Sequence, residues 1–230
     1  MNKKMNLINI LFFIATVIGG ILYITIHTIP IKAVASFCFF LMSFFNLIYS
    51  KKKGGTNISF GIIMTLGLFV AMIADIFLEI EFIIGAALFA LGHIFYFVSY
   101  CKLLKFKIND LVYAVFIFIV TGSLILFLPI FDFGDAVMQI VCVVYALIIS
   151  LMVSKAISNY KRDKNCLSLV LAIGSVLFCF SDTMLLFNYF ADTPRIINIL
   201  CVTSYYIAQP VLAYGVCVSA DINMNMRTDN

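Results

Sequence analysis

GSVLFCFSDTMLL, Gly174 to Leu186, is an apolar run with one carboxylate, Asp182, set in its middle. GLFVAMIADIFL, Gly67 to Leu78, repeats it: a glycine, seven residues, an aspartate, and a leucine three further on. A carboxylate near the centre of a bilayer costs about 2.5 to 3.5 kcal/mol on insertion scales. Two isolated acids at matching positions of matching greasy segments therefore read as a working pair inside membrane helices.

The rest of the chain supports that setting. Of 230 residues, 64% are apolar and only 11% charged, far from the usage of soluble domains. Runs of about 20 apolar residues recur, and the short alternating segments of a membrane barrel do not. The expected fold class is all-α, a polytopic bundle of eight transmembrane helices forming one domain over residues 1–230. The expected spans are 7–26, 31–50, 57–78, 82–101, 109–129, 134–154, 166–189 and 195–218. MNKK followed by Leu7 to Ile26 reads as the first span, since no small-residue cleavage site follows it.

Basic residues test this partition. With a cytoplasmic N-terminus, thirteen Lys and Arg fall on the inner side: Lys3, Lys4, Lys51, Lys52, Lys53, Lys102, Lys105, Lys107, Lys155, Lys161, Arg162, Lys164 and Arg227. Only Lys32 and Arg195 fall outside, a strong positive-inside bias that predicts both termini in the cytoplasm and a multi-pass protein of the cell membrane. The net charge of +4 is thus an orientation signal, and no basic domain is left to bind nucleic acid. Glu79, Glu81, Asp132, Asp135 and Asp192 are expected in short outer loops, so chemistry must reside within the bundle.

Asp75 and Asp182 lie 107 residues apart, in the third and seventh spans, which predicts a parallel repeat of four helices plus four. At 100° per residue, Ser168, Ser175, Asp182 and Tyr189 share one helical face. Gly85, Phe89, His93, Tyr96 and Tyr100 form a second stripe, Asn198, Cys201, Tyr205 and Gln209 a third, and Lys32, Ser36, Ser43, Asn46 and Ser50 a fourth. Lipid cannot solvate these groups, so the stripes and the Asp75 face should converge on one interior. Small and hydroxylated residues also simply pack transmembrane helices, at about 0.6 kcal/mol each. That plain reading suits Ser and Cys better than it suits Asp. Pro210, inside the eighth span, frees the carbonyl of Tyr206 and predicts a kink beside Tyr205 and Gln209.

Residue supply narrows the chemistry. Seven cysteines lack CxxC spacing and read as buried apolar thiols. His27 falls near a span end, leaving His93 as the intramembrane imidazole, too few for a histidine-rich zinc hydrolase. No GxSxG elbow occurs, and AD75, SD182 and AQP210 differ from the YD, GxGD and PAL motifs of intramembrane aspartyl proteases. Desolvation favours the neutral form of a carboxylic acid, and two acids in one pocket split their titrations. One acid and one carboxylate make an acid–base pair suited to an acid-labile bond. The competing class is a proton-coupled small-molecule or lipid transporter using the same two acids; a third possibility is a member with a structural role only.

Four stretches, GLFVAMIADIFLEI, FIIGAALFALGHIFYFVSY, GSVLFCFSDTMLLF and SYYIAQPVL, occur in order and at suitable spacing. In that succession the chain resembles the YhhN-like lysoplasmalogenase family. The resemblance implies eight membrane helices and hydrolysis of the vinyl ether bond of lysoplasmalogens to a fatty aldehyde and a glycerophospho-head group. It further implies Asp75 and Asp182 as the acidic motif residues, with His93, Tyr96, Tyr205 and Gln209 lining the pocket. Lys32 would match a lysine at the start of the second helix, although the family's following proline is Ala33 here. The expected substrate is a lysophospholipid met within the bilayer, with no metal and no other cofactor. Asp182 is the expected proton donor and Asp75 its partner. His93 and Tyr205 would orient water or substrate, and Lys32, with Arg195, would hold the lipid phosphate.

Overall fold

The computed structural model describes residues 3–55 and 57–228, with side chains as far as Ala220. Eight long helices are present among them: α1 (Lys3–Ile26), α2 (Ile29–Lys52), α3 (Ile58–Ile80), α4 (Phe82–Leu103), α5 (Leu111–Phe127), α6 (Ala136–Arg162), α7 (Cys166–Phe190) and α8 (Arg195–Thr228). Each is long and apolar enough to cross a membrane, α5 together with the 3₁₀ turn Ile108–Asp110 before it. Leu7, Leu11, Ile14 and Ile18 on α1, and Val115, Phe116 and Ile119 on α5, face outward. Exposed in series, such side chains would drive aggregation in water. In a bilayer they are the solvated face, and the protein is a multi-pass membrane protein.

Tight connections set the ends. His27 and Thr28 alone join α1 to α2, with His27 in the left-handed region at φ 49° and Pro30 opening the next helix. Glu81, in extended conformation, is the sole link between α3 and α4. Asp135 accepts from the Met138 N–H at 2.8 Å and Asn165 from that of Ser168 at 2.8 Å, capping α6 and α7. Links this short reverse the chain, so α3 packs most extensively on α4 and α7 on α8. The core between them holds Phe39, Met64, Leu68, Tyr96, Phe178 and Leu212.

Gly85 shows how close the α3–α4 hairpin is. A Cβ there would lie 2.5 Å from both Cα and N of Leu78, backbone atoms that cannot swing aside. Gly85→Ala is expected to lower stability by about 1 to 3 kcal/mol. Gly92→Ala, whose nearest neighbour would be 3.5 Å away, should be tolerated. Thermal unfolding of the two variants in detergent checks the contrast.

Two elements differ from the sequence expectation for one reason. Lys155, expected in an inner loop, lies inside α6 with no exposed surface and contacts Asp110 at 2.8 Å and the Lys105 carbonyl at 3.2 Å. Ser158 also bonds the Asp110 carboxylate, and Ser154 its carbonyl. Glu79, expected in an outer loop, lies inside α3 beside Lys32. A charge that meets its counter-charge does not stop a helix, so hydropathy alone ends these spans too early. α8 likewise continues past residue 218, with Pro210 inside it. The side chain of Arg227 lies outside the described residues. None of the seven cysteines is in a disulfide; Cys142, Cys201 and Cys217 are buried, whereas Cys166 is exposed.

Candidate active site

Asp75 comes off the last third of α3 and is buried. Its Oδ2 accepts from the Tyr205 hydroxyl of α8 at 2.6 Å and from the Ser36 hydroxyl of α2. Its Oδ1 faces the Lys32 ammonium at 3.9 Å. Lys32 sits one turn before Ser36, so the α2 stripe delivers both to the same carboxylate. The ammonium is shared, because Lys32 Nζ also donates to Glu79 Oε1 at 2.6 Å, and Tyr23 of α1 donates to that oxygen at 2.6 Å. Charge-assisted bonds of this kind are roughly twice as strong as neutral ones and hold four helices in register.

Asp182 has a different set of neighbours. Tyr145 of α6 donates to its Oδ2 at 2.6 Å, and His93 Nε2 of α4 lies 3.1 Å from the same oxygen and 2.8 Å from the Tyr145 hydroxyl. The other ring nitrogen, His93 Nδ1, is buried without a partner, and the Phe178 ring packs edge-on against the imidazole at 4.6 Å. Both bonds fall on Oδ2. The second oxygen, Oδ1, has no hydrogen-bond partner among the described residues.

The two acids open onto one cavity of about 320 Å³, whose wall also includes Lys32, Glu79, Tyr205, Tyr206, Asn188 and Asn198. It lies at the end of the bundle where the α1–α2, α3–α4 and α7–α8 links meet, and His27 forms part of its rim. Both the volume and the mix of apolar walls with a few convergent polar groups are those of a small-molecule site. No three His, Cys, Asp or Glu side chains among the described residues assemble as ligands for a metal ion. The model of the YhhN family matches residues 27–216, a stretch that contains every member of this cavity wall except Tyr23. The chain belongs to the YhhN family. No curated protein and no solved structure matches it.

Within this YhhN chain, the residues singled out from the sequence divide into two groups. Asp75, Asp182, Lys32 and Tyr205 line the cavity together. His93 stands behind Asp182, fully buried, and reaches the cavity only through that carboxylate. Tyr96 and Gln209 are buried away from it and bond each other, Tyr96 hydroxyl to Gln209 Oε1 at 3.0 Å, tying α4 to α8. Arg195 is exposed, with its guanidinium 3.5 Å from the Ile24 carbonyl, and takes no part in the cavity wall.

Three contributors were not visible beforehand: Tyr145, Glu79 and Tyr23. Tyr145 hides among apolar neighbours on α6, yet the 107-residue offset of the two acids carries Ser36 to position 143, within one turn of it. Glu79 lies four residues after Asp75, on the same helical face, a spacing that would have placed both beside Lys32.

Proposed function

We propose that this chain is an intramembrane hydrolase of the lysoplasmalogenase type, cleaving the vinyl ether of a lysophospholipid. The observation that carries the reading is the single cavity onto which Asp75 and Asp182 both open, one carboxylate beside an ammonium and the other beside a tyrosine and an imidazole. Enol ethers hydrolyse by proton delivery to carbon. Asp182, protonated on Oδ1, gives its proton to the chain-side carbon of the double bond, whose π electrons form the new C–H bond. Asp75, facing Lys32, steadies the resulting oxocarbenium ion and takes a proton from the water that adds to it. The hemiacetal then collapses: its hydroxyl proton returns to Asp182, its bond to the glycerol oxygen breaks, that oxygen takes the proton held by Asp75, and aldehyde and alcohol leave. One water is consumed and neither acid is altered. Tyr145 and His93 hold Asp182 in place, and Tyr205 does the same for Asp75.

The four-plus-four repeat belongs to the same proposal. Asp75 draws its partners from α2 and α8, and Asp182 draws its partners from α6 and α4. Exchanging the two halves turns α2 into α6, α3 into α7 and α8 into α4, so each acid occupies the equivalent place. Thirteen of fifteen basic residues, assigned by the span order, lie at the end away from the cavity. This supports cytoplasmic termini and a cavity facing the outer leaflet of the cell membrane.

The position-matched acids also suit a proton-coupled carrier, and one experiment separates the two. Purified protein in detergent, given a lysoplasmenyl lipid, should release fatty aldehyde. A carrier would release none, and would act only in a sealed vesicle with a gradient.

A further inference from the structure

The polar cavity has a neighbour that the mechanism above does not use. Between α4, α5, α6 and α7 runs a narrow groove of about 70 Å³, walled by side chains such as Phe82, Ala86, Ile125, Ala146 and Ile149. The two spaces share Leu78, Phe89, Asp182 and Leu185, and of these only Asp182 is charged. Asp182 therefore stands where an apolar space meets a polar one.

The groove also has a way in from the membrane. α5 packs extensively on α6 alone, leaving its flanks toward α4 and α7 loosely closed. Water is a poor occupant of such a space, since it needs two to four polar partners. A hydrocarbon chain needs none, and burying each methylene of it is worth about 0.8 kcal/mol relative to water. The polar cavity offers the complement, with the Lys32 ammonium, the Glu79 carboxylate and the Asn198 amide in its wall. A molecule filling both spaces is linear and amphiphilic, with its head beside Lys32 and its tail against α5 and α6.

We infer that the α4–α7 groove is the subsite for the aliphatic chain of a single-chain lipid, and that Asp182 meets the first carbons of that chain. The reaction at those carbons rests on the hydrolase reading, whereas the chain subsite does not. In a vinyl ether the carbon to be protonated is the one on the chain side of the double bond, the side on which Asp182 stands. Asp75 lines only the polar cavity and is left to the oxygen side.

The test uses a 1-O-alkyl lysophospholipid, which has no vinyl ether to cleave, carrying a diazirine at its chain end. After photolysis with the full-length protein in detergent, the adducts are mapped by mass spectrometry. Adducts are expected on residues 121–125 and 141–149, competed away by unlabelled lipid. Ala146→Phe, which fills the groove, should lower them about tenfold. Label that spreads over the outer faces of α1 and α5, or that is not competed, overturns the subsite, and this arm needs no variant. Unchanged labelling in a folded Ala146→Phe protein overturns it as well. Groove labelling without aldehyde release from the matching vinyl ether lipid keeps the subsite and defeats the hydrolase reading. Aldehyde release with label elsewhere does the reverse.

Discussion

Asp182→Asn should lower aldehyde release from a lysoplasmenyl lipid by about 10² to 10⁴-fold, the usual worth of a positioned general acid. The substitution is nearly isosteric, and its amide oxygen can still accept from Tyr145, now 2.6 Å from the carboxylate. What it loses is a proton able to leave. Tyr145→Phe provides the companion measurement, because it leaves the acid present but removes the bond that aims it. As its proton leaves, Asp182 becomes a carboxylate, and hydrogen bonds to charged groups are worth about 1.5 to 3 kcal/mol, so this variant should fall by roughly 10 to 100-fold, less than Asp182→Asn. A folded Asp182→Asn protein with wild-type turnover removes this residue from the mechanism.

Lys32→Met should be the most destabilising single change in the site. The ammonium lies 2.6 Å from Glu79 and 3.9 Å from Asp75, and its own side chain is 8% exposed. Removing it leaves two carboxylates in one wall with no cation between them. Breaking a buried pair from one side costs about 3 to 5 kcal/mol. Glu79 retains 26% exposure, which places the expectation near the lower end. Lys32→Met combined with Glu79→Gln should regain much of the loss, since one of the stranded charges is gone. Thermal unfolding in detergent measures both. If the double variant is no more stable than the single one, Lys32 does not act through this pair.

How far the sequence can be read depends on what each residue would cost if misplaced. Eight spans were legible because hydrocarbon enforces long apolar runs, and all eight recur in the fold. Asp75 and Asp182 stood out because a lone acid in such a run demands an explanation. Lys155 and Glu79 misled the boundaries because their partners, Asp110 and Lys32, are distant in sequence, 45 and 47 residues away. Tyr145 was silent for the opposite reason: its ring is at home among apolar neighbours, and only the hydroxyl matters to Asp182. Tyr96 and Gln209 followed the polar stripes correctly into the interior, yet periodicity cannot tell a residue that faces empty space from one that faces another helix. Their mutual bond is a matter of depth that a helical wheel does not contain.

If the chain is the proposed hydrolase, the wall shared by the two cavities decides where its products go. A cut at Asp182 would leave the severed tail lying under loosely seated α5 and the phosphate-bearing alcohol at the watery end near His27. The aldehyde can slip sideways into the acyl chains while the alcohol diffuses away into solution. With separate exits, neither product stands in the other's path.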